Sequence, residues 1–133
     1  MRHHNATVDD SVQVGENVNI FQFATVIRGA VLEDNVTVAP TAVLDGAYIS
    51  QGTVVSPGVF IGPGFLVGEE VFLGPHVVLC NDAWPRVDKE GFSYETLKAR
   101  LTVIVGDGAS IGAHAVVLPG VVVGMSQFLE EFL

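Results

Sequence analysis

The chain has 133 residues, of which 49% are hydrophobic and only 16% charged, with a formal net charge of −9 at pH 7. That length suits one domain, 1–133, and the acidic balance weighs against a partner gripped by its phosphate backbone, so no nucleic acid is expected. The single cysteine, Cys80, cannot close an intrachain disulfide. No apolar run approaches the roughly 20 residues of a membrane span, and the opening MRHHNATVDD lacks the apolar core of a secretion signal; the expectation is a cytoplasmic chain with no membrane partner.

In chain order, MRHH reads as a frayed start. An aliphatic residue then recurs every six positions: Val8, Val14, Ile20, Val26, Leu32, Val38 and Leu44. One residue is missing after Leu44, beside Pro40 and Gly46, and the register resumes at Ile49, Val55, Ile61, Val67, Leu73 and Leu79. Four residues after most of these marks stands a small or β-branched residue, such as Ala24, Ala30, Val36, Ala42 or Val71. Tyr48 and Phe65 read as bulky exceptions in that slot. A helix repeats near 3.6 residues and an ordinary strand at two, and neither explains a phase locked at six. The pattern predicts an all-β fold, a single-stranded left-handed parallel β-helix of hexapeptide repeats with about five coils. Each hexad is one short strand plus one corner, and three hexads close a triangular coil of about eighteen residues. The aliphatic residue points inward, and coils stack at roughly 4.8 Å. The missing residue predicts a shortened side or a tightened corner.

Residues 80–104, CNDAWPRVDKEGFSYETLKARLTVI, break the repeat, which returns as Val105, Ile111, Val117 and Val123. Twenty residues are inserted here, and a solenoid accepts such a loop at a corner without losing its stack. A connection this long is more often functional than accidental. After Val123 the tail 125–133, MSQFLEEFL, leaves the hexad; Phe128, Leu129, Phe132 and Leu133 recur at helical spacing, which predicts a short amphipathic cap over the open end.

The insertion leads to a pair of histidines. His76 and His114 each follow an aliphatic mark by three residues, and their separation of 38 is one coil of eighteen plus the twenty inserted. They therefore fall on one face in successive coils, roughly 5 Å apart at the backbone. A stacked pair of this kind can include a general base, since imidazole titrates near working pH; it can equally stabilise a corner or wall a crevice. No third ligand stands beside the pair, so no metal is expected. Asn81 can orient an amine or donate to a carbonyl, or form an Asx turn that launches the loop, and Asp82 shares both readings. Trp84 can wall a sugar site or pack the loop. Arg86 and Arg28 can meet phosphates or form surface ion pairs. Gly112 and Gly120, like Gly108, can let a flat chain run against the backbone or can simply turn a corner.

The hexads, together with FLGPHVVLCNDAWPR and VGDGASIGAHAVVLPGVVVG, resemble the hexapeptide-repeat acyltransferases, and within them the bacterial sugar-nucleotide N-acetyltransferases of surface-polysaccharide biosynthesis. The early VGENVNIFQFATV is similar too, and the likeness covers residues 12–124. The resemblance implies a homotrimer with clefts between subunits, acetyl-CoA as co-substrate along the later coils, and a nucleotide-linked amino sugar approaching from the earlier ones. It implies a substrate-contacting role for the asparagine of the ND motif, Asn81. Within that frame the residues read above are assigned as catalytic His76 and Asn81, substrate-binding Asp82, Trp84, Arg86 and Arg28, and cofactor-binding Gly112, His114 and Gly120. The pattern departs from the family after Val123, where such enzymes continue with further hexads that wall the CoA site. Two readings follow: an amino-sugar N-acetyltransferase, or a non-enzymatic trimeric β-helix that binds or scaffolds and has lost its CoA site.

Overall fold

The computed structural model describes residues 1–80, 87 and 103–129. Every element among them is a short β-strand, and no described helix is long and apolar enough to cross a membrane. Three six-stranded parallel sheets form the sides of a β-solenoid. The first sheet stacks Thr7–Val8 (β1), Thr25–Ile27 (β4), Val43–Asp45 (β7), Phe60–Ile61 (β10), Val78–Leu79 (β13) and Val116–Val117 (β16). The second stacks Gln13–Val14 (β2), Val31–Leu32 (β5), Tyr48–Ile49 (β8), Phe65–Val67 (β11), Val103–Val105 (β14) and Val122–Val123 (β17). The third stacks Asn19–Ile20 (β3), Thr37–Val38 (β6), Val54–Val55 (β9), Phe72–Leu73 (β12), Ser110–Ile111 (β15) and Phe128–Leu129 (β18).

The hexad dictates this arrangement residue by residue. The aliphatic marks from Ile20 to Ile111 are almost wholly buried, and the small slot holds residues such as Ala24, Ala30, Val36, Ala42 and Ala109, each fully buried. A small residue suits that slot in most rungs, because three sides converge on a narrow triangular interior that packs without voids. Backbone N–H groups of one rung donate to carbonyls of the next, as from Val78 to Ala115 O at 3.0 Å and from Cys80 to Val117 O at 2.9 Å. The register is 18 residues per rung across most of the stack, as in Thr7↔Thr25.

Four details refine the sequence reading. The rungs number six, one more than the five expected, because the repeat runs past Val123: Phe128–Leu129 pairs with Ser110–Ile111 as strand. The tail is therefore strand and not helix at 128–129, since Leu129 stands six residues after Val123 and closes the third side of the last rung; residues 130–133 lie outside the described residues. The start is tied down and not frayed: Met1 N donates to Val18 O, Ile20 N to Met1 O, and His3 N to Ile20 O, at 2.6–2.8 Å. These bonds satisfy the open edge of β3, which would otherwise present unpaired groups. The missing residue is a tightened corner at 46–47. Ala47, 1% exposed, fills the small slot there, so Tyr48 stands outward at 38% exposure and is not the bulky occupant expected. Phe65 does occupy its slot, buried beside Pro63 and Gly64.

The insertion preserves phase. Val78 pairs with Val116, and Phe65 with Val103, so the offset is one coil plus twenty on both sides of the break. Val103 and Ile104 belong to β14, so the strand resumes slightly before the end expected from the sequence.

Candidate active site

The three corners differ in what they carry. The corner between the third and first sheets holds His76 and His114. The corner between the first and second carries the insertion. The corner between the second and third is lined with carboxylates.

At the histidine corner, Pro75-His76 and Ala113-His114 make matching turns. His76 has φ 61° and His114 φ 62°, and the His114 N–H donates to Pro75 O at 2.9 Å. The matched turns place the two exposed imidazoles one over the other. Their centroids are 5.2 Å apart and their planes are inclined by 15°. The spacing read from the sequence is thus realised as a ring stack. Neither imidazole hydrogen-bonds to another described residue. Among the described residues no group of three His, Cys, Asp or Glu is placed to hold a metal ion. Gly112 lies two residues before His114, and its N–H donates to Leu129 O at 2.7 Å. That donor is already engaged, so Gly112 contributes shape at this corner and not a hydrogen bond.

His76 leads directly into β13, which ends at Leu79 and is followed by Cys80, the last described residue before position 81. Burial raises the Cys80 thiol pKa above its ordinary value. Asn81, Asp82, Trp84 and Arg86 lie outside the described residues. One short strand therefore separates the histidine stack from the start of the Asn81–Asp82 segment.

Two other candidates stand apart. Arg28 sits on the insertion corner three rungs earlier, where its Nε approaches Asp45 Oδ1 at 3.4 Å and its backbone N–H donates to Asp9 Oδ2 at 3.2 Å. Asp45 Oδ1 is buried and takes no hydrogen bond from a described residue, so the guanidinium is its charge partner. Gly120 is on the same corner one rung beyond the insertion, exposed, with φ 86° and open space where a Cβ would point. The structure thus brings together His76, His114 and Gly112, and separates them from Arg28 and Gly120 by the width of the first sheet.

A groove of about 470 Å³ lies elsewhere, beside the acidic corner, lined by Gln13, Gly15, Glu33, Asp34, Gln51 and Glu69 among others. Its carboxylates would repel a phosphate-bearing ligand. A residue that sequence reasoning missed is Gly58, which lies directly beneath His76; the signal was present, since Gly58 occupies the histidine slot one coil earlier.

No protein-family model matches the chain, and no curated protein matches it either. Solved structures do. The acetyltransferase domain of PglB from Neisseria gonorrhoeae FA1090 is 24% identical, with a TM-score of 0.72 over 95% of this chain and 54% of that one. The same domain in complex with acetyl coenzyme A is 23% identical, with a TM-score of 0.68 over 94% and 54%. A mutant of perosamine N-acetyltransferase from Caulobacter crescentus, in complex with CoA and GDP-perosamine, is 21% identical, with a TM-score of 0.78 over 97% and 51%. The chain spans about half the length of these structures. At these identities the likeness establishes a shared β-solenoid fold.

Proposed function

We propose that this chain is an acetyl-CoA-dependent N-acetyltransferase acting on the amine of a nucleotide-linked amino sugar, assembled as a homotrimer in the cytoplasm. The observation that carries the reading is the His76–His114 stack: two exposed imidazoles without protein hydrogen-bond partners among the described residues, one strand from the Asn81–Asp82 segment. The similarity in fold to sugar N-acetyltransferases solved with CoA, acetyl-CoA and GDP-perosamine supports the choice of reaction class.

The chemistry needs a neutral amine, a donor for the developing oxyanion and an acceptor for the amine proton. The amine nitrogen attacks the thioester carbonyl and a C–N bond forms. His76 takes the nitrogen's proton. Collapse of the tetrahedral adduct breaks the C–S bond, and the CoA sulfur leaves with that proton. Asn81 has the contacting role that the family resemblance implies, orienting the amine or donating to the oxyanion. His114 backs His76 on the side of the later coils, where acetyl-CoA is expected together with Gly112 and Gly120. Asp82, Trp84 and Arg86 are assigned to the sugar nucleotide. Arg28 is the most remote of these assignments.

Sedimentation followed by calorimetric titration with acetyl-CoA tests the reading. Micromolar binding by a trimer, then CoA release with one member of a panel of nucleotide-linked amino sugars, is the expected result. A well-folded trimer that gives no heat at several temperatures would overturn it and leave a binding or scaffold protein.

A further inference from the structure

Successive rungs place Phe23, Thr41, Gly58, His76 and His114 in one slot of the histidine corner. All five have left-handed backbone, with φ between 61° and 73°. The turn itself does not demand glycine at this slot, since threonine, phenylalanine and histidine adopt the same conformation in neighbouring rungs. What demands glycine at position 58 is the ring above it. A Cβ there would lie 2.3 Å from His76 Nδ1, 2.5 Å from Cε1 and 3.2 Å from Cγ. Contacts that short cannot persist, so the imidazole owes its present place to the absent side chain. The Nδ1–Cε1 side of the ring is the part nearest to where a Gly58 Cβ would stand, the ring centroid lies 5.2 Å from that of His114, and Nε2 is the nitrogen further from Gly58.

We propose that Gly58 is a positioning residue: its bare backbone is the floor on which the His76 imidazole lies, and it thereby holds the ring in the stack and leaves Nε2 as the working nitrogen. The catalytic consequence rests on the reading of His76 as the base; the structural one does not. Gly58→Ala lifts the ring from its floor and disrupts the pair. Gly52 supplies a control, because it has the same φ of 73° and a Cβ there would meet Glu70 Oε1 at 2.1 Å, on a different corner.

The test uses the full chain and histidine side-chain NMR of wild type, Gly58→Ala and Gly52→Ala. The expected result is that Gly58→Ala moves the ring resonances of both His76 and His114, while Gly52→Ala leaves them in place. In the transfer assay, kcat of Gly58→Ala falls about tenfold, a part of what a lost general base costs. The KM for acetyl-CoA stays within about twofold. Unchanged ring resonances in Gly58→Ala would overturn the proposal. Should that variant fold poorly, a double-mutant cycle decides: with His76 already replaced by alanine, Gly58→Ala should cost much less in Tm, and an undiminished cost would refute the proposed contact. If the wild type transfers nothing, the transferase reading falls, while the resonances and the cycle still decide the role of Gly58.

Discussion

The histidine corner and the acidic corner share one backbone and differ in who satisfies its donors. At the acidic corner three of the residues that precede a left-handed position carry an N–H that a carboxylate from a neighbouring rung accepts. Asp34 Oδ1 takes that of Glu16 at 2.8 Å, Glu33 Oε1 that of Gln51 at 3.0 Å, and Asp107 Oδ1 that of Glu69 at 2.8 Å. At the histidine corner the equivalent residues include Pro40, Pro57 and Pro75, which have no N–H to satisfy. Proline removes the donor, so the side chains above and below are not drawn into serving the backbone. Acidic side chains accept backbone N–H groups across rungs at the one corner, and at the other the His76 and His114 rings make no hydrogen bond to another described residue. An abundance of polar groups, as in the acidic groove, is therefore a poorer guide to a site than polar groups without a structural task.

Four perturbations test that contrast. The largest effect is expected from His76→Ala: a loss of transfer of about 10²–10⁴-fold, the range for a positioned general base, with an unchanged melting temperature because the ring is exposed. A parallel fall in stability would make the histidine corner structural as well. Leu73→Ala should damage both corners at once. Leu73 is fully buried in β12, between the carboxylates and the histidines, and the cavity should cost about 2–5 kcal/mol in denaturant melts. Asp107→Ala removes one acceptor and should cost about 1 kcal/mol while transfer is retained; loss of activity at constant stability would erase the distinction.

The smallest effect belongs to Asp9, near the start of the insertion corner. Its carboxyl is held below the ordinary carboxylate range, first by the Ser11 hydroxyl, then by the Ser11 and Arg28 backbone N–H groups. A depressed folded-state pKa contributes stability that is present above the unfolded value and lost as pH falls through the folded one. Melting temperature recorded on acidification should therefore fall slightly less steeply in Asp9→Asn than in wild type, and an identical acid limb would remove this carboxylate from the account.

The architecture was legible because a six-residue phase is a collective signal. No single residue carries it, so one slip and one insertion could not hide it. The histidine stack was legible for the same reason, since His76 and His114 hold one phase. Tyr48 was misplaced because a deletion is visible as a shift but not as a position; only the structure places it in the corner and so gives Ala47 the inward slot. The tail was read as helical because Phe128, Leu129, Phe132 and Leu133 fit a 3.6 period as well as Leu129 fits the hexad, and a short apolar run cannot arbitrate between the two. Gly58 was overlooked because glycine at a corner has a ready explanation. Its second reason, the ring of the next rung, depends on which way that ring leans.

The twenty-residue insertion leaves the pairing of the next rung untouched: Leu79 still meets Val117 and Leu73 still meets Ile111. Corners thus act as punctuation, and whatever length of text stands between two strands, the following line starts at the same margin. The segment between Cys80 and Val103 is flanked by strands that keep the 38-residue offset on both sides of it. The histidine pair therefore keeps its phase across a break of any number of residues that returns the chain to the same margin.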